Sequence, residues 1–382
     1  MYGFSDHLKP IPLTGLSADL QGCSRYSTRM ASAGSIEQTF VLLEDGIRRL
    51  TLPLPTGPRH VHCYLVEGTL FDTGLGLGEA PWGSVAVERI AITHFHPDHV
   101  GGAEAAAKAT GATVYQGGLD YAQCERVWGS EDWPERMAAW LISHGVPQPV
   151  AEDLVVQGHA FAPFIRYAVD PQLVYEGSEL DGWQVVELPG HADGHLGFLR
   201  DGVLIAGDHL LQRVSPAVGL YPESRPDPLG DYLASLQRTI ELASRIVYPG
   251  HGEPIEDAAA RARELIEHHR VRLEGTTGAL SDRERTAYEV SLSLFGTELS
   301  PTERRFAVAE TLSHLVACAG DRDAQLSAAA HSRSGVWGRD QCRRSRCRAA
   351  SSLTSQSISC CWPLMGACWR LTWASRSTGS SW

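Results

Sequence analysis

With 382 residues, 43% of them hydrophobic, the chain can bury one large α/β core or two ordinary ones, and it has no apolar run of roughly 18 residues that would span a membrane. Its net charge of −12 joins two unlike parts: residues 318–382 carry nine Arg against three Asp, which leaves −18 on residues 1–317. An acidic body argues against the broad Lys/Arg surface on which phosphate-backbone binding depends, so a small molecule is favoured over nucleic acid as the partner, a local basic patch apart.

The first residues lack a basic segment followed by an apolar one, so a cytoplasmic protein is expected. Residues 1–36 show no period and are expected to form a disordered arm. From there "RRLTLPLP", "HVHCYLVEG" and "TLFDTG" read as short strands punctuated by Gly and Pro. "VERIAITHF" reads as a strand, "GGAEAAAKATG" as an Ala-rich helix closed by Gly111, and "ATVYQG" as a strand. Residues 119–166 break the rhythm. "EDWPERMAAWLISHG" and "PQPVAEDLVVQGH" predict two short helices, either a lid over a site or plain packing on the sheet. Strands resume in "QLVYEGSEL", "WQVVELPG", "HLGFLRDG" and "GVLIAGDHL". The helix "DPLGDYLASLQRTIELAS" follows, capped by Asp227 or Asp231, and then the strand "RIVYPG". Helices are expected at residues 257–274 and in "TAYEVSLSLFG" and "ERRFAVAETLSHL". Two strand-rich halves with helices between them predict an αββα sandwich, two packed sheets with helices outside.

The segment after about Val316 differs in kind. It has no period, is heavy in Ser, Arg, Cys and Trp, and holds six of the nine cysteines, none of them in C-x-x-C spacing. It reads as an out-of-frame translation of GC-rich DNA, with a genuine basic, disordered tail as the alternative.

The chemistry concentrates in "THFHPDHVGG". In an extended segment His94 and His96 point to the same side, Pro97 turns the chain, and Asp98 and His99 face back. Four nitrogen and oxygen donors in one loop suit Zn²⁺ or a similar first-row metal. Three later strands also end in a donor within a Gly-containing turn: His191 in "ELPGHADGH", Asp208 in "LIAGDHL" and His251 in "IVYPGHGEP". Any one of these alone reads as a satisfied structural residue; four such strand ends read as a site.

The ordered set "HFHPDH", "PGHADGH", "AGDH" and "PGHG" resembles the metallo-β-lactamase-fold hydrolase superfamily over about residues 37–270. The resemblance implies two divalent ions, Zn²⁺ first, with Fe²⁺ and Mn²⁺ also compatible. It implies that His94, His96 and His191 hold one ion, that Asp98, His99 and His251 hold the other, and that Asp208 bridges them. Two cations roughly 3.5–4 Å apart then hold a water whose pKa falls toward roughly 7, giving hydroxide as the nucleophile. Asp98 would orient it and shuttle a proton as the catalytic carboxylate. Asp72 in "FDTG" resembles the family's buried Asp that holds the histidine loop, and His195 and His209 read as supporting histidines behind the ligands. Tyr221 and the tryptophans of the insertion are candidates for a pocket wall.

Asp208 stands where true zinc β-lactamases usually have Cys, so the pattern is closer to glyoxalase II, lactonases and RNase Z-type nucleases. The helices after His251 resemble the C-terminal segment of the lactamase-beta-like group, which includes endoribonucleases. The expected layout is a hydrolase domain at 37–256 with a helical lid at 119–166, a helical segment at 257–316 that is a truncated winged-helix-like unit, and the tail at 317–382. Truncation would leave Leu312 and Leu315 exposed. The expected activity is hydrolysis of a small-molecule ester, thioester or lactone. A phosphodiesterase or endoribonuclease is the alternative, and a non-catalytic module on the same fold is a third reading.

Overall fold

Two β-sheets pack face to face in the computed structural model, which describes residues 40–319 except 56–57, 77–81, 83–84, 160–161 and 281–282, together with the backbone of Val336–Trp337. The first sheet has seven strands in chain order: β1 (Val41–Leu42), β2 (Arg48–Pro53), β3 (His60–Val66), β4 (Thr69–Phe71), β5 (Arg89–Ala91), β6 (Thr113–Gly117) and β7 (Gln172–Val174). Strands β1 to β4 pair antiparallel, and β4 to β7 pair parallel. In β2 the burial alternates, Leu50 and Leu52 inward and Thr51 and Pro53 outward, as one exposed face requires. The parallel strand β5 is covered on both faces, which explains its apolar run.

The second sheet has the order β12 (Ile246–Pro249), β11 (Val203–Gly207), β10 (Leu196–Arg200), β9 (Trp183–Glu187), β8 (Glu179–Leu180), antiparallel except for β11 and β12. Aromatic side chains fill the space between the sheets: the Phe71 ring lies 5.0 Å from Trp183 and 5.1 Å from Phe198.

Helices cover both outer faces. After the single turn α1 (Pro97–Val100), α2 (Ala103–Thr110) packs Ala103 and Ala106 against Leu70, Ile90 and Val114 of the first sheet. It ends at Gly111, whose φ of +76° is open to glycine at no steric cost. After α3 (Gly118–Val127), α4 (Trp133–Ser143) and α5 (Gln148–Gly158), the second sheet is covered by α6 (Pro228–Leu242) and α7 (Ala258–Ala279) through Leu229, Tyr232, Leu236, Ala262 and Leu265. Asp227, and not Asp231, caps α6, accepting the Gly230 N–H at 2.9 Å. The layers are helix, sheet, sheet, helix, the predicted αββα sandwich.

The remaining helices form a shared layer. Met137 and Leu141 of α4 and Leu154 and Val155 of α5 cluster with Val308 of α9 (Pro301–Ala319). The helix α8 (Ala287–Phe295) starts with a capping box between Thr286 and Glu289. The expectation of exposed leucines is overturned. Leu312 and Leu315 are 2% and 0% exposed, because Leu280, just past α7, and Ala287 and Val290 of α8 cover them. The helix also runs past the expected break at 316 to Ala319, with Cys318 and Ala319 buried in the same cluster.

Within the segment read as a tail, Val336–Trp337 (β14) pairs antiparallel with Arg285–Thr286 (β13). The expected arm at 1–36 and the rest of the tail beyond Ala319 lie outside the described residues. Among the described residues, no helix is long and apolar enough to cross a membrane.

Candidate metal centre

One carboxylate organises the histidine loop. Asp72 follows β4 at φ +60°, in the left-handed region that Asp tolerates better than most residues. Its Oδ1 accepts the Thr93 N–H at 2.8 Å, and its Oδ2 accepts the Thr93 hydroxyl at 2.8 Å. The same Oδ2 lies 2.7 Å from His99 Nδ1. Thr93 Oγ1 thus spends its proton on Asp72 and is left to accept from His94 Nδ1, 3.0 Å away. Both rings present Nε2 inward as a result. His94 Nε2 and His96 Nδ1 converge to 3.0 Å.

The other strand ends bring their donors to the same place. His191, beyond β9, donates Nδ1–H to the Ala217 carbonyl at 2.7 Å. His251, beyond β12, donates Nδ1–H to the His60 carbonyl at 2.6 Å. Asp208, beyond β11, lies among the imidazoles: Oδ1 is 3.5 Å from His99 Nε2, and Oδ2 is 3.2 Å from His251 Nε2 and 3.7 Å from His191 Nε2. Asp98 Oδ2 sits 3.3 Å from His251 Nε2. Three groups have donor atoms within 4.8 Å of one another: His94, His96 and His191; His94, His99 and Asp208; Asp98, His99 and His251. Glycine makes the closure possible. A Cβ on Gly250 would fall 2.4 Å from Asp208 Oδ1 and 2.6 Å from His99 Cε1.

The electrostatics divide the cluster. Burial, reinforced by neighbouring imidazoles, holds His94 and His96 well below the usual histidine range. Burial also opposes charge on His99 and His251, but there the carboxylates prevail. Asp208, Asp72 and Asp98 hold His99 well above its ordinary value, and Asp208 and Asp98 hold His251 up at about 10. Against burial, His99 and His251 keep Asp98 down at about 2, and His251 and His99 keep Asp208 well below the carboxylate range. The carboxylates thus favour positive charge among them, which a divalent ion would supply once the imidazoles shed their protons. His99 Nε2, His191 Nε2 and Asp208 Oδ1 are buried without a hydrogen-bond partner among the described residues. Such atoms cost about 1–3 kcal/mol each when left unmet. A donor set of imidazole nitrogen and carboxylate oxygen fits a divalent first-row ion.

His195 and His209 lie behind the cluster. The His195 ring stacks on His94 at 4.7 Å, and its Nε2 accepts the Asp208 N–H at 3.2 Å. His209 donates to Thr239 Oγ1 at 2.7 Å, since that hydroxyl gives its own proton to the Ser235 carbonyl.

Several supports have no sequence signal. Asp120, on the unpredicted helix α3, accepts the Phe95 N–H at 2.7 Å, while the Trp128 indole donates to the Phe95 carbonyl at 2.9 Å. The residue between His94 and His96 is therefore gripped from both sides. Asp193 ties the His191 turn to Gln123 and to the Arg225 N–H, at 2.9 and 2.8 Å. His62 bridges Thr51 Oγ1 and the Gly252 carbonyl beside His251, at 3.0 and 2.9 Å. A cavity of about 500 Å³ is lined by Glu125, Arg126, Ser130, Arg136, Pro222 and Glu223 and includes none of the seven clustered donors.

Comparison with known proteins agrees with this architecture. Residues 56–251 match the family model of the metallo-beta-lactamase superfamily. The Bacillus subtilis (strain 168) protein named "Probable metallo-hydrolase YqjP" is 29% identical over 299 residues, 71% of this chain and 91% of its own length. A metallo-beta-lactamase family protein of Thermus thermophilus is similar in structure, with a TM-score of 0.63 at 36% identity over 72% of this chain and 94% of that one. A beta-lactamase domain protein of Burkholderia ambifaria gives a TM-score of 0.65 at 25% identity over 77% and 95% of the two chains. The chain belongs to the metallo-beta-lactamase superfamily and is a hydrolase of that family.

Proposed function

We propose that His94, His96, Asp98, His99, His191, Asp208 and His251 hold two divalent ions, Zn²⁺ by preference, and that the chain hydrolyses a small-molecule ester, thioester or lactone. The observation that carries the reading is the trio of buried, unmet donors, His99 Nε2, His191 Nε2 and Asp208 Oδ1, turned into one cluster. His94, His96 and His191 would take one ion, Asp98, His99 and His251 the other, with Asp208 between them. Bound there, the ions would supply Lewis acidity to the scissile carbonyl and acidify water toward neutral pH.

The chain's own groups do the rest. Asp98 keeps 21% of its side chain exposed against 10% for Asp208, so it is the carboxylate that meets incoming water. Asp98 would receive the water's proton and pass it toward the leaving group. Phe95 and Trp128 offer an apolar surface beside His96, and Tyr221 lies 5.9 Å from Trp140 of the helical layer. A wall of this kind suits an acyl or aromatic substrate part.

The test pairs elemental analysis of chelator-free protein with a panel of a thioester, a lactone and a bis-aryl phosphodiester. Two metals per chain with thioester or lactone turnover is the expected result. Turnover of the phosphodiester alone would move the assignment to the nuclease branch, and protein without bound metal would refute the site.

A further inference from the structure

The strand β3 addresses the turn that carries His251 residue by residue. His60, His62 and Tyr64 alternate along the strand and so share one face. Tyr64 donates its hydroxyl to the Pro249 carbonyl at 2.6 Å. The His62 N–H donates to the Gly250 carbonyl at 2.8 Å, and the His60 carbonyl takes the His251 Nδ1–H at 2.6 Å. The His62 ring closes the series, its Nε2 lying 2.9 Å from the Gly252 carbonyl. β3 belongs to the first sheet, while β12 is an edge strand of the second, so these bonds join one sheet to the other at the metal centre.

The His62 ring is held in one state. It is 3% exposed, and burial, reinforced by the Arg49 guanidinium, pushes its pKa down to about 3. A neutral imidazole has one N–H, and a carbonyl can only accept, so Nε2 carries the proton. Bare Nδ1 then accepts the Thr51 hydroxyl at 3.0 Å. The neighbouring pair of Arg49 and Glu253 adds little, because Glu253 is 64% exposed. The His62 ring is thus the buried side chain that fixes the residue directly after His251. That placement matters: His251 Nε2 lies 3.3 Å from Asp98 Oδ2 and 3.2 Å from Asp208 Oδ2, and a small shift of the turn moves it away from both.

The ligands of the other ion are set from elsewhere. Thr93 orients His94, and Asp120 and Trp128 grip Phe95 between His94 and His96. Ala217 orients His191, in a loop that α9 anchors through the Ala309 carbonyl and the Leu220 N–H at 3.1 Å. Among the described residues, no hydrogen bond of His62 reaches these groups.

We propose that His62 is the positioning residue of His251, and that its hydrogen bond to Gly252 governs the affinity of one ion only, the one assigned to Asp98, His99 and His251. The inference rests on the two-ion reading of the metal centre and deepens it. One ion is supported by α3 and the 217–220 loop, the other by the hairpin of β2 and β3.

The experiment compares the full chain with His62→Phe and His62→Gln. Phenylalanine keeps a ring of similar size and donates nothing, whereas the glutamine amide nitrogen stands as far along the side chain as Nε2 and can donate to Gly252 again. Zinc is titrated into chelator-treated protein in competition with a chromophoric chelator. In His62→Phe one ion should bind about tenfold or more weakly while the other stays within about twofold, and His62→Gln should recover most of the loss. A second readout needs no metal. The His251 Nδ1–H, assigned by its absence in His251→Gln, is followed by proton–nitrogen NMR of histidine-labelled, metal-free protein. Its exchange with water should be severalfold faster in His62→Phe and near the parent rate in His62→Gln. Thr51→Val, which releases Nδ1 from an exposed strand position, should act in the same direction and serves if the Phe variant does not fold. Two ions weakened equally, or a lower Tm with exchange and the affinity difference unchanged, overturn the proposal. A parent protein that takes up no zinc counts against the two-ion reading, and the exchange rates then decide the role of His62 by themselves.

Discussion

The carboxylate of Asp72 lies 2.7 Å from His99 Nδ1 while also holding both polar groups of Thr93, so one buried side chain ties the start of the histidine loop to its end. Its replacement should act on metal affinity before it acts on the fold. Asp72→Asn keeps an acceptor for Thr93 but loses the negative charge beside His99. Metal affinity, measured by competition with a chelator, should drop about 10- to 100-fold. Unchanged affinity would mean that His99 is oriented by something else.

His96 and Asp208 separate the proposed sites. His96→Ala should abolish most turnover and lower metal content. Asp208→Ala removes the carboxylate shared among His99, His191 and His251, and should lower the stoichiometry from two ions toward one. Full turnover in His96→Ala would refute the assignment.

Gly250→Ala is the smallest test of the cluster. Its methyl group would collide with Asp208 Oδ1 and His99 Cε1. The variant should fold, keep its circular dichroism, and bind metal weakly. A variant that binds metal as the parent does would show that the cluster opens on binding.

Glu310 gives a pH dependence that arises within α9. Burial, opposed by Arg272, lifts its pKa from 4.5 to about 7. The folded state therefore favours the neutral acid: this contribution to stability is present below about pH 4.5 and is lost as pH rises through 7. The loss is on the order of 3 kcal/mol above that pH. Glu310→Gln should raise Tm by several degrees at about pH 8.5 and change it little at about pH 5. An equal shift at both pH values would show that the effect is packing and not ionisation.

Leu315→Ala tests the shared helical layer. The side chain is fully buried among Leu280, Ala287 and Val290, so the truncation should cost about 2–5 kcal/mol. A single unfolding transition shifted as a whole is expected in a denaturant titration. Two separate transitions would show that the C-terminal helices are not coupled to the sandwich.

What was legible in the sequence follows from range. His94, His96, Asp98 and His99 crowd one loop, and His191, Asp208 and His251 each follow an apolar strand, so spacing and strand ends expose them. Asp72 is legible only through resemblance. The carbonyls of Ala217 and His60 carry no side-chain signature, yet they set two imidazoles. Asp120 carries no sequence signal, and the unpredicted α3 brings it to Phe95. Leu312 and Leu315 read as exposed because their cover, Leu280, Ala287 and Val290, comes from earlier in the chain, in pairings that no local pattern announces.

Helix α9 reaches both parts of the molecule: Val308 packs with α4 and α5, and the next residue's carbonyl anchors the loop that steers His191. A lesion in the gene's distal portion would thus register as a defect in chemistry as well as a loss of ballast. Residues distant in translation order share responsibility for one imidazole, so the ribosome must complete α9 before the centre can take its working shape.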